Sequence, residues 1–121
     1  MHETDMTKAL IMTVRDWYVS QPTPPTIEAI HLVVGRFTCV EPASLEFAFM
    51  AQIQKTFLEG VRLVIRETPL IAFCGDCDRS YHPQIGLQYT CPTCGNPMED
   101  IRSGRELKIE RIEYSLEGAK V

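Results

Sequence analysis

Two helical periodicities, three strand-like runs and a pair of Cys-x-x-Cys turns place this 121-residue chain in the α+β class. Together they predict a small three-stranded sheet packed with two helices, interrupted by an inserted four-cysteine zinc-binding (zinc-ribbon-like) domain. The expected division is residues 1–70, completed by 99–121, for the α/β part and 71–98 for the insert.

The first helix is read over 5–20. Met6, Leu10, Val14 and Trp17 recur at helical spacing, and Ile11 and Tyr18 widen the face. Thr4 or Asp5 is the expected N-cap. Three prolines in the Gln21–Thr26 segment then stop the helix. Ile27 to Phe37 is β-branched and apolar on both faces, as expected for a central strand. His31 inside this run is read as a satisfied, half-buried histidine, not a ligand. Gly35 to Glu41 is a loop, and its Cys39 is read as an inert small hydrophobe.

Pro42 suits the first position of a second helix expected to reach Phe57, and Glu41 before it suits the positive end of the helix dipole. Leu45, Ala48, Phe49, Ile53 and Phe57 trace its buried face. Val61 to Arg66 alternates as a second strand, closed by Pro69. Arg105 to Tyr114 returns to strand character, and a bulge near Glu110 and Arg111 would bring Leu107, Ile109, Ile112 and Tyr114 to one face.

The insert is organised by Cys74, Cys77, Cys91 and Cys94, in two turns separated by thirteen residues. Each turn offers two thiolates, and four soft ligands suit tetrahedral zinc. Gly75 and Gly95 are expected to ease the turns. A four-cysteine set also suits rubredoxin-type iron, and in an oxidising compartment it would form two disulfides. Residues 71–98 are too few to hold an apolar core, so the metal is expected to supply their stability.

The formal net charge of −4, with no clustered Lys or Arg, argues against phosphate-backbone binding, so no nucleic-acid partner is expected. No apolar run approaches the roughly 18–20 residues of a membrane span. The acidic start (Met1-His2-Glu3-Thr4-Asp5) lacks the basic region of a signal peptide, so a cytoplasmic location is expected. A closed four-thiolate site leaves no open metal position, and no nucleophile stands beside a base and an acid. The expectation is a non-enzyme.

His2 follows the initiator methionine directly. A large second residue should leave Met1 in place. Its α-amine, the His2 amide nitrogen and the His2 imidazole could then form fused five- and six-membered chelate rings. Such rings favour square-planar Ni(II) or Cu(II) over zinc, and the Glu3 amide or a carboxylate could fill the fourth place. On the residues alone, a His at position 2 is by default a solvated terminal residue.

Taken together, Met1-His2-Glu3, the Val40–Phe49 segment (VEPASLEFAF), Leu58-Glu59-Gly60, the two cysteine turns and Gly104–Glu113 (GRELKIERIE) resemble the HypA/HybF family of hydrogenase maturation metallochaperones. The resemblance covers the chain end to end. It implies Ni(II) held by Met1, His2 and Glu3, with Glu41 as an additional carboxylate, and structural zinc on Cys74, Cys77, Cys91 and Cys94. Implied partners are the HypB GTPase and the [NiFe]-hydrogenase large-subunit precursor, with the chain itself a monomer or homodimer. The chain departs from the family pattern at Asp5 and Met50. A zinc-ribbon adaptor or a nucleic-acid- or protein-binding module is the competing reading.

Overall fold

The computed structural model describes residues 2–116, His2 through its backbone only. The elements are α1 (His2–Ser20), β1 (Pro25–Gly35), a 3-10 turn (Arg36–Thr38), α2 (Pro42–Gln52), β2 (Arg62–Thr68), β3 (Ile71–Cys74), β4 (Arg79–Tyr81), β5 (Asp100–Ser103) and β6 (Leu107–Leu116). The described residues form two compact units, one of residues 2–32, 40–65 and 109–116, the other of 33–39 and 66–108. One three-stranded sheet has the order β2-β1-β6, so β1 is the central strand its apolar faces predict.

In the first unit α1 packs on α2. Val14, Ile30, Leu45, Phe49, Ile53 and Leu58 are fully buried and form its core. Burying a side chain the size of Phe49 contributes about 1.5–3 kcal/mol. Thr7 is buried among them, and its hydroxyl is satisfied by donating to the Glu3 carbonyl at 2.7 Å. Trp17 is half-buried and meets Tyr114 edge-to-face at 5.0 Å. His31 hydrogen-bonds to the Glu113 carboxylate, as a satisfied histidine should.

Several boundaries differ from expectation. α1 begins at His2, so Thr4 and Asp5 lie inside the helix and cap nothing. Glu3 and Asp5 instead put negative charge in the first turn, where the dipole favours it. β1 gives way to the 3-10 turn at Arg36, so Arg36 and Phe37 are not strand. α2 stops at Gln52, five residues short of Phe57, and Phe57 is 38% exposed. Cys39 is exposed in the left-handed region at φ 61°, not tucked away as a small hydrophobe.

The second unit holds a sheet the sequence did not announce, of order β4-β3-β5. Both pairings are antiparallel, with Ala72 opposite Tyr81 on one side and opposite Ile101 on the other. Its strands are three or four residues long, too short for alternation to be read.

Candidate metal centre

Cys74 ends β3, Cys77 follows one turn later, and Cys91 and Cys94 come from the second turn. In both turns the residue after the second cysteine takes positive φ: Asp78 at 53° and Gly95 at 78°. Asp tolerates this region and Gly adopts it freely. Gly75 does not take positive φ, so the first turn makes no such demand on it. The second turn is closed by the Gly95 N–H donating to the Cys91 carbonyl and the Cys91 N–H to the Asn96 carbonyl, both at 2.8 Å.

These turns bring all four Sγ atoms within 4.8 Å of one another. Cys74 and Cys94 are 3.6 Å apart, and Cys77 and Cys91 3.8 Å. A tetrahedral zinc with Zn–S bonds of about 2.3 Å sets its sulfurs about 3.8 Å apart, so the cluster fits a structural zinc. None of the cysteines is disulfide-bonded.

The sulfurs are electrostatically unequal before metal arrives. The backbone N–H groups of Cys94 and Thr93 draw the Cys91 thiol down to about 6. Its hydrogen bond with Cys94, reinforced by burial, pushes Cys77 up to about 12. For Cys94 the Asn96 N–H and the Cys77 sulfur pull downward, but burial and the Cys74 and Cys91 sulfurs outweigh them and the thiol rises.

Around the sulfurs sits a small apolar cluster of Ala72, Tyr81 and the buried cysteines, flanked by Cys77 and Met98. The Tyr81 hydroxyl donates to the Tyr89 carbonyl at 3.0 Å, and Tyr89 stacks edge-to-face on Phe37 at 5.8 Å. Asp76 in the first turn and Asn96 beside the second are joined by a side-chain hydrogen bond that clasps the two turns. Twenty residues separate them, and nothing in the sequence couples the pair. His82 is exposed.

Of the residues expected to hold nickel, Glu3 and Glu41 fall in the other unit. Met1 and the His2 side chain lie outside the described residues. Glu3 and Glu41, 38 positions apart, are brought together: the Glu41 N–H donates to a Glu3 carboxylate oxygen at 3.4 Å. Glu41 also caps α2, its carboxylate accepting from the Ala43 N–H at 3.3 Å. Beside them runs a groove of about 580 Å³ lined by Glu3, Thr4, Ala43, Ser44, Phe47 and Gln52.

The HypA profile, described as "Hydrogenase/urease nickel incorporation, metallochaperone, hypA", matches residues 1–114. The chain belongs to the HypA family. This HypA-family chain is 68% identical over 113 residues to "Hydrogenase maturation factor HypA" of a Synechococcus species, covering 93% of this chain and 86% of the relative. It is 64% identical over 114 residues to "Guanidine hydrolase-activating protein A" of a Synechocystis species, covering 94% and 95%. Its fold is similar to the solution structure of the Ni metallochaperone HypA from Helicobacter pylori, with TM-score 0.65, 18% identity, and 95% and 98% of the two chains covered. The family is one of nickel metallochaperones acting in hydrogenase maturation.

Proposed function

We propose that this chain binds Ni(II) at its amino end, through Met1, His2 and Glu3 with Glu41 at hand, and delivers it to a nickel enzyme during maturation. The observation that carries this reading is the start of α1 at His2. The first four N–H groups of a helix have no intrahelical partner. The amides of His2 and Glu3 are thus not committed to the helix, and a chelate can use them without breaking it. In this reading residues 1–70 with 99–121 serve as the nickel-binding domain and 71–98 as an inserted domain. There Cys74, Cys77, Cys91 and Cys94 hold zinc for folding. The chain acts in the cytoplasm as a carrier and not as an enzyme. HypB is its GTPase partner and the [NiFe]-hydrogenase large-subunit precursor its client.

Titrating Ni(II) into the untagged chain should develop the weak d–d absorption of a square-planar site, and His2→Ala should abolish it. Unblocked wild-type protein that takes up no nickel would refute the carrier reading.

A second reading of the client rests on the 64% identical relative, whose name makes it an activator of guanidine hydrolase. Offering the nickel-loaded chain to both metal-free enzymes, and measuring which gains activity, separates the two clients.

A further inference from the structure

The first turn of α1 is bonded to both ends of α2. At one end the Glu41 N–H, at the N-cap of α2, donates to the Glu3 carboxylate at 3.4 Å. At the other the side-chain amide of Gln52, the last residue of α2, donates to the Thr4 carbonyl at 3.2 Å. A helix of eleven residues is roughly 16 Å long, so the two ties are well separated. A third bond stiffens the turn from within, where the buried Thr7 hydroxyl donates to the Glu3 carbonyl at 2.7 Å.

Glu3, Thr4 and Gln52 are half-buried and line one groove, so water competes only in part for these bonds. The Thr4 carbonyl also serves the α1 ladder. A carbonyl oxygen has two lone pairs, so the Gln52 donor leaves that ladder intact.

The first turn is where a helix frays, because its leading amides have no intrahelical partner. The nickel reading above puts the chelate on those residues, and the present inference rests on it. A frayed turn must be ordered again whenever the ion binds, and that ordering lowers affinity. We propose that Gln52 is a positioning residue for nickel. By holding the Thr4 carbonyl it keeps the first turn of α1 formed, with Glu3 beside Glu41, before the ion arrives. Gln52 is not itself a ligand. Its amide nitrogen is engaged on Thr4, and a carboxamide oxygen suits harder cations than Ni(II). Gln54 provides the contrast: it is exposed, and its amide donates to the Met50 carbonyl at 2.9 Å, within its own segment.

The test compares untagged, zinc-loaded wild type with Gln52→Met, which keeps the side chain's length and helix propensity but has no donor. Competition with a chromophoric chelator reads Ni(II) affinity, and stopped flow reads release. Gln52→Met should bind about two- to tenfold more weakly, the worth of one hydrogen bond, and release the ion faster. Its d–d band should keep its position, because the ligands are the same. In the metal-free variant the amides of Met6, Thr7 and Lys8, which close onto the first-turn carbonyls, should exchange faster. Gln54→Met should change neither affinity nor exchange. A loss of general stability would instead speed exchange throughout the first unit and leave the affinity of the folded protein alone. Should Gln52→Met not fold, Gln52→Leu removes the same donor. Wild type that takes up no nickel would overturn the carrier reading and this role with it. Wild type that binds nickel, with Gln52→Met binding it as tightly or showing unchanged exchange at Met6 to Lys8, would overturn the role of Gln52 alone.

Discussion

The backbone amide of Glu41 donates to the Glu3 carboxylate, so the residue that caps α2 is tied to the first turn of α1. Glu41 thus has two separable duties, a carboxylate near the amino end and a cap. Glu41→Ala should remove both, costing about 0.5–2 kcal/mol of stability through the cap and weakening nickel uptake. Glu41→Asn keeps a good capping side chain but no charge. It should leave thermal unfolding near wild type while still lowering nickel affinity. Equal affinity in Glu41→Asn and wild type would remove Glu41 from the nickel set.

Stripping zinc should unfold one unit and spare the other. Among the described residues the apolar cluster around the cysteines is Ala72, Tyr81, Cys77, Met98 and the buried ligands themselves, far too little to hold β3, β4 and β5 together. Hydrogen exchange after chelation should lose protection over 71–103 while α1 and α2 keep theirs, anchored by Val14, Leu45 and Phe49. Retained protection at Ala72 and Tyr81 would mean that the metal is not what folds this segment.

What the sequence disclosed and what it hid follow from the range of the forces involved. The cysteine cluster was legible because a metal ligand set imposes fixed local spacing, and β1 because a central strand must be apolar on both faces. The end of α2 was not. The apolar period runs on to Phe57 with no Gly or Pro to stop it, yet the chain turns away after Gln52. There the Thr56 hydroxyl takes the Ile53 carbonyl at 2.6 Å and the Glu59 carboxylate takes the Lys55 N–H at 2.9 Å. Side chains that bond nearby backbone offer it an alternative to the helix. The Asp76–Asn96 clasp and the Glu3–Glu41 tie each join residues distant in sequence. No local pattern encodes such pairs.

Glu106 supplies a pH dependence with a definite sign. Its carboxylate accepts from the Thr68 hydroxyl at 2.7 Å and the Gly104 N–H at 2.9 Å. Thr68 first, then the backbone N–H groups of Glu106 and Gly104, hold it below its ordinary value of 4.5. A depressed folded value means its stabilisation is fully present above 4.5 and is lost as pH falls through the lower folded value. Glu106→Gln should cost about 1–3 kcal/mol near neutrality. The gap to wild type should close on acidification, as read by urea unfolding at a series of pH values. A gap independent of pH would mean that the charge is not what Thr68 and Gly104 recognise.

Gly35 and Gly104 make a tight backbone crossing in the second unit. The Gly35 N–H donates to the Glu106 carbonyl at 2.6 Å, and the Phe37 N–H to the Gly104 carbonyl at 2.9 Å. A β-carbon on Gly35 would stand 2.0 Å from the Gly104 carbonyl oxygen, and one on Gly104 would stand 2.7 Å from the Leu70 α-carbon. Backbone atoms are the obstacle in both cases, so no rotamer change relieves the overlap. Gly104 also sits at φ +116°, where an L side chain is strained even with space to spare. Gly35→Ala should therefore destabilise the chain by about 3 kcal/mol or more. Gly95→Ala, at positive φ with nothing within 4 Å of its added carbon, should cost only the strain of that conformation, about 1–2 kcal/mol. Gly35 itself is extended, at φ −77°, so its loss comes from contact alone; thermal unfolding of the two zinc-loaded variants measures the difference, and a Gly35→Ala loss no larger than that of Gly95→Ala would show that the crossing yields to the added carbon.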